Sequence, residues 1–166
     1  MTYGVNETMP DHKNSKKRGS DSSESDRTIS TGMMLNKLKE THEIGSFIEE
    51  NKDAFYGSTI RDHFDMLFKK YDISKKEAIE RSNIERGYAY QILRGAKCAK
   101  RDKYIRLAVG MGLTLEDTQR MLTITQHGIL YSKILRDAII IYCISNHLDI
   151  MKLEWLLEEQ HVNPLE

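Results

Sequence analysis

The chain has 166 residues, 39% apolar and 30% charged, with 25 basic side chains balanced by 25 acidic ones. That is the composition of a soluble globular chain, long enough for one domain plus a tail or for two very small domains. No apolar run approaches the roughly 20 residues of a membrane helix.

The first residues lack the basic-then-apolar order of a signal peptide. Cys98 and Cys143 are too few for a disulfide framework, so a reducing, cytoplasmic setting away from membranes is expected. None of the six histidines falls at metal-ligand spacing with another histidine or a cysteine, and no metal site is expected. A glycine-rich phosphate loop, a nucleophile elbow and an HExxH motif are all missing, and Cys98, despite basic neighbours, has no histidine nearby in sequence. The expectation is a protein that is not an enzyme and needs no cofactor.

Residues 1–32 are poor in aliphatic side chains and rich in Ser, Asp, Lys and Gly. Such a segment buries too little apolar area to offset its ordering entropy and reads as a disordered tail. Residues 33–57 read as a short helical lead-in broken near Gly45. From Ser58 on, Ile60, Phe64, Leu67, Phe68 and Tyr71 recur at helical spacing, with Ser58 or Thr59 as the N-cap. Ser74 followed by Glu77 is a capping box, and the helix it opens is expected to stop near Asn83, which tolerates the left-handed conformation. A further helix ends at Gly95, and two more follow over 101–112 and 114–124, separated by "MGLT".

The stretch "RDAIIIYCI" is locally ambiguous between a buried strand and a helix. A repeat decides it. Residues 101–122 align without a gap on residues 136–157, an offset of 35, with Arg101/Arg136, Asp102/Asp137, Ile105/Ile140, Leu113/Leu148 and Leu122/Leu157 identical. If the first copy is a helix pair, so is the second, and 125–166 becomes a C-terminal helical hairpin. The recurrence of Arg and Asp suggests a structural pair, Asp capping a helix and Arg serving as its partner. The apolar "AIIIYCI" exceeds what one packing face needs. It suits either a homodimer through the C-terminal hairpin or burial within the monomer.

Zero net charge hides an asymmetry. Residues 58–112 hold 13 basic and seven acidic side chains, net +6, whereas residues 113–166 hold four and eight, net −4. The positive segment contains "ISKKEAIERSNIERGYAYQILRG", residues 73–95, which has the length and punctuation of a helix-turn-helix. On its second helix Ala89, Ile92 and Leu93 can face a core. Glu85, Arg86, Gly87, Tyr88, Tyr90, Gln91 and Arg94 then fall on the outward arc. Gln pairs with adenine, Arg with guanine, and Tyr reaches phosphates or thymine methyls. The loop beyond adds Lys97, Lys100, Arg101, Lys103 and Arg106, a placement that suits phosphates beside a groove. The competing reading makes Tyr88 and Tyr90 packed aromatics and the cations a solvated face.

The same segment resembles the Cro/phage-repressor-type superfamily, the XRE family. Ser74 matches the Ser that commonly starts the second helix of that family, and Lys75 the Gln that contacts a phosphate. Asn83 takes the place of the turn Gly, Ile84 that of the buried turn residue, and Gly95 that of the closing glycine. Ile79 and Ala89 exchange the sizes that the family usually has at these two places. The resemblance implies an all-α fold: a five-helix Cro/repressor-like bundle over 58–124, extended by the hairpin 125–166. It also implies a sequence-specific transcriptional regulator of double-stranded DNA. The expected DNA-binding set is Lys75, Glu85, Arg86, Gly87, Tyr88, Tyr90, Gln91, Arg94, Lys97 and Lys100. The alternative is a protein-interaction adaptor that keeps the helix-turn-helix scaffold without binding DNA.

Overall fold

The computed structural model describes residues 29–55 and 59–166, and every regular element among them is helical. Most of the expected N-terminal tail lies outside the described residues; its last two positions, Thr31 and Gly32, begin a helix. Two units are distinguished, one ending at Ala54 and the other running from Phe55 to Glu166.

The first unit contains α1 (Thr31–Glu40), capped by Ser30, then α2 (Ile44–Glu50) and a 3-10 turn at Lys52–Ala54. The break between α1 and α2 falls at residues 41–43 rather than at Gly45, which lies inside α2. Thr41 ends α1 in an extended conformation, and chain direction changes there without needing a glycine.

The second unit holds α3 (Ile60–Lys70), α4 (Lys75–Ser82), α5 (Arg86–Leu93), α6 (Arg101–Met111), α7 (Leu115–Ile124), α8 (Leu135–Ser145) and α9 (Ile150–Glu159). Thr59 and Asp62 form a reciprocal capping box on α3. At α4 only half of the expected box forms. The Ser74 hydroxyl accepts from the Glu77 amide, while the Glu77 carboxylate turns to Arg81 at 2.5 Å.

Among the described residues one turn is used four times. A left-handed residue is followed by an apolar residue and then by an N-cap that accepts from the amide three residues on. The sets are Asp72–Ile73–Ser74, Asn83–Ile84–Glu85, Gly112–Leu113–Thr114 and His147–Leu148–Asp149. The left-handed residue ends one helix, the apolar one plugs the corner, and the cap satisfies an orphan amide of the next. Ile73, Ile84 and Leu113 are buried, and Leu148 is half-buried.

The core is continuous from Phe64 on α3 to Leu157 on α9, so the hairpin 125–166 extends it rather than forming a body of its own. Ile79 and Ala89 are both buried in it. α6 is its spine. Tyr104 stacks on Phe64, ring centroids 6.5 Å apart, and α4 crosses α6 at Gly110. A Cβ at Gly110 would lie 2.7 Å from both the Ala78 carbonyl oxygen and the Ser82 nitrogen. Only glycine permits that approach.

The stretch "RDAIIIYCI" is helix α8, as the repeat requires, and the two copies are related by a local twofold. Ile105/Ile140, Ala108/Cys143 and Leu122/Leu157 are fully buried mates. Gly112 and His147 are both left-handed, as are Gln126 and His161. The arginines do not pair with the aspartates of their own copy. Arg101 donates to both carboxylate oxygens of Asp137, at 3.0 and 2.9 Å, and to the carbonyls of Gly128 and Ile129. Arg136 donates to both oxygens of Asp102, at 3.1 and 2.7 Å, and to the carbonyls of Asn163 and Pro164. Tyr131 N then donates to Asp137, and Glu166 N to Asp102. Every member of one set sits 35 residues from its mate. Neither aspartate caps a helix: the N-cap residues of α6 and α8 are Lys100 and Ile134, which make no side-chain cap, and both carboxylates serve the pairs across the axis.

Candidate nucleic-acid interface

The candidate site is built on α4, the Asn83 turn and α5. Asn83 adopts φ 51°, ψ 45°, and ends α4. Ile84 anchors the corner, and α5 starts at Arg86 with Glu85 as its N-cap. The Glu85 carboxylate accepts from the amides of Gly87 at 2.7 Å and Tyr88 at 2.6 Å. Those two bonds hold its pKa below the usual carboxylate value and commit it to the cap. Gly87 follows with only the Glu85 carboxylate near its missing Cβ, at 3.2 Å. Gly95, at φ 70°, closes α5: its amide donates to Ile92 O, and Ala96 N donates to Gln91 O. This is the pairing of a Schellman end.

Ala89, Ile92 and Leu93 are buried, while Arg86, Gln91 and Arg94 are exposed. Tyr88 and Tyr90 are half-buried against the core and carry cations on their outer faces. Arg86 and Arg94, one turn before and after, lie over the Tyr90 ring at 5.8 and 5.7 Å from its centroid. Lys97 lies 4.8 Å from the centroid of Tyr88. The tyrosines thus act as packed aromatics that also pre-position three guanidinium or ammonium groups along one edge of α5.

The remaining cations sort unevenly. Lys75 pairs with Asp65 at 2.7 Å and lies over Phe68. Its neighbour Lys76 faces a pocket of about 170 Å³ shared with Asn83 and Arg86 and floored by Ile79 and Ile84. Lys76, outside the set expected from the sequence, sits in the first turn of α4, two turns before the Asn83 cap, and pairs loosely with Glu80 at 3.9 Å. Lys100 is exposed but pairs with Glu166, which raises its pKa. Arg101 belongs to the twofold network. Arg106 is buried, ion-paired with Glu154 and bonded to the carbonyls of Leu165 and Glu166. Neither Arg101 nor Arg106 is free to meet a phosphate: Arg101 takes a structural role, as its recurrence suggested, and Arg106 departs from what its place in the basic loop suggests. The cause is spatial: Asp137, Glu154 and Glu166 all come from the acidic segment and neutralise part of the basic one.

Among the described residues no group of three metal-ligating side chains gathers, and no helix is long and apolar enough to cross a membrane. Comparison of the chain with family models, with curated proteins and with solved structures finds no match.

Proposed function

We propose that this chain is a sequence-specific DNA-binding regulator that reads the major groove with α5, in the manner of the Cro/phage-repressor-type helix-turn-helix. It acts without catalysis. The observation that carries the reading is the state of α5: eight residues long, packed behind by Ala89, Ile92 and Leu93, and open in front at Arg86, Gln91 and Arg94. A groove-reading helix needs this division between an apolar back and an outward face of hydrogen-bonding donors; here Arg86 stands in the first turn, Gln91 in the last and Arg94 at the C-cap. Arg86, Gln91 and Arg94 are the base-reading candidates. Lys97 and Lys76 flank them as phosphate contacts, and Glu85 serves by starting the helix. α3, α4, α5, α6 and α7 supply the five-helix frame of the resemblance.

The test is retention on duplex DNA as salt rises, followed by selection of bound sequences from a random pool. A reader that neutralises Z phosphates loses affinity with a slope of about 0.9Z in log K against log salt, and it enriches one sequence. Retention that ignores salt, or a pool that enriches nothing, would defeat the reading and leave the adaptor alternative.

A further inference from the structure

Residues 163–166 reach the edge of the proposed reading face. Leu165 is buried, and its carbonyl accepts from Arg106 at 2.8 Å. Arg136 donates to the carbonyls of Asn163 and Pro164, and Glu166 N donates to Asp102 at 3.1 Å. These anchors fix the backbone and set the Glu166 carboxylate against Lys100, whose ammonium donates to it. Lys100 stands three residues beyond Lys97 and lies close enough to Tyr88 of α5 for an electrostatic interaction.

The local twofold shows that this ion pair is no requirement of the scaffold. An offset of 35 relates Lys100 to Leu135 and Tyr131 to Glu166. The backbone anchors recur at the twin place: Arg101 holds the carbonyls of Gly128 and Ile129, and Tyr131 N donates to Asp137. Leu135 and Tyr131 themselves carry no charge. The same frame is thus built at both ends, and only the end near α5 sets a carboxylate on a lysine. Both side chains stay mostly exposed, Lys100 at 77% and Glu166 at 64%, so the pair contributes little to stability.

We infer that Glu166 is an internal competitor for DNA: its carboxylate occupies Lys100 in place of a backbone phosphate, and a duplex must displace it to gain that contact. The inference rests on the DNA-reading proposal above and concerns the regulation of the same face. Carboxylate and phosphate oxygens meet an ammonium through the same charge-assisted hydrogen bond. The ammonium has three donors, but two anions on one of them repel each other, so an arriving phosphate turns the carboxylate out. Because the backbone of 163–166 is pinned, only the Glu166 side chain has to swing away. A phosphate contact carries no base information, so the competitor sets affinity and leaves sequence preference alone.

The test is titration of one duplex with the full chain at about 0.15 M salt, where charges are screened beyond about 8 Å. Glu166→Gln is expected to bind about two- to fivefold tighter, the worth of an exposed ion pair, with thermal melting unchanged. Lys100→Ala should cancel the gain, so that the double variant binds no tighter than Lys100→Ala alone. Glu159→Gln, the same change of charge at the exposed end of α9, should leave affinity at the parental level. A parent that binds with a salt-dependent slope while Glu166→Gln merely matches it overturns this inference alone. So does an equal gain from Glu159→Gln, which makes the effect one of net charge, or a gain that survives the loss of Lys100. A parent that does not bind the duplex overturns the DNA reading and this inference together.

Discussion

Arg101 grips Asp137 with both ends of its guanidinium, at 3.0 and 2.9 Å, across the local twofold that also joins Arg136 to Asp102. The Asp137 side chain is 5% exposed and that of Arg101 25%. Removing one partner of such a pair strands a charge that the fold has already taken out of water, at a cost of about 3–5 kcal/mol. Arg101→Met is therefore expected to lower the unfolding free energy by about 3 kcal/mol, and Arg136→Met by a similar amount. Urea denaturation checks both. Costs below about 1 kcal/mol, the worth of a surface pair, would show that the reciprocal network is not holding the two hairpins together.

Gly110 is the second point of strict geometry. Alanine there would raise helix propensity by about 1 kcal/mol, yet its Cβ would meet α4 backbone at 2.7 Å. Backbone cannot step aside as a side-chain tip can, so overpacking of about 1–3 kcal/mol or more dominates. Gly110→Ala should lower the melting temperature. Since α4 carries the Asn83 turn, the same variant should also weaken whatever α5 binds. A more stable variant would mean that α4 and α6 are not in this close contact.

Two buried titratable groups predict the pH profile in separate windows. Burial, then the charge of Arg120, pulls His63 below its ordinary 6.5, and its Nε2 has no hydrogen-bond partner among the described residues. A depressed imidazole takes its proton in the unfolded chain first. The stability it contributes is present above about 6.5 and lost as pH falls below it, with a slope of at most about 1.4 kcal/mol per unit. Asp117 titrates lower. Burial alone would raise it, but hydrogen bonds from Lys70 and Tyr71 outweigh burial and hold it below 3.8. Its share is present above its unfolded value and lost as pH falls through the folded one. His63→Leu should flatten the stability curve between pH 7.5 and 5, and Asp117→Asn the curve below pH 4. A parent curve already flat across both windows would contradict the two assignments.

Much of this architecture is legible in the sequence because it is local. Thr59, Ser74 and Gly95 announce helix ends through their own chemistry, and Asn83 marks the turn before α5. The 35-residue repeat settles α8 as a helix, although its three consecutive isoleucines favour a strand. Spatial pairing is not legible. The repeat contains two arginines and two aspartates, and spacing alone does not say that each arginine takes the other copy's acid. The count of +6 for residues 58–112 likewise says nothing of where neutralising acids arrive. Arg106 reads as a surface cation but is held by Glu154, 48 residues away. Gly110 resembles a helix breaker in "VGMG", and only the crossing of α4 gives it its meaning.

The proposed reading face makes the sharpest demand. Gln91 stands exposed on α5, and its side chain can pair with one base through two hydrogen bonds. Lys97 lies beyond the helix end, over Tyr88, and is proposed as a phosphate contact. Gln91→Ala should therefore relax preference at one base pair, by about 1–3 kcal/mol of discrimination, with little change in salt slope. Lys97→Ala should weaken all sequences alike and reduce that slope by about 0.9. Competition binding against single-base variants of a selected site separates the two effects. Exchange of the two outcomes would mean that α5 lies in the groove in another register, with Lys97 near the bases. Parental affinity and specificity in both variants would mean that the surface formed by α5 is not the one that reads DNA.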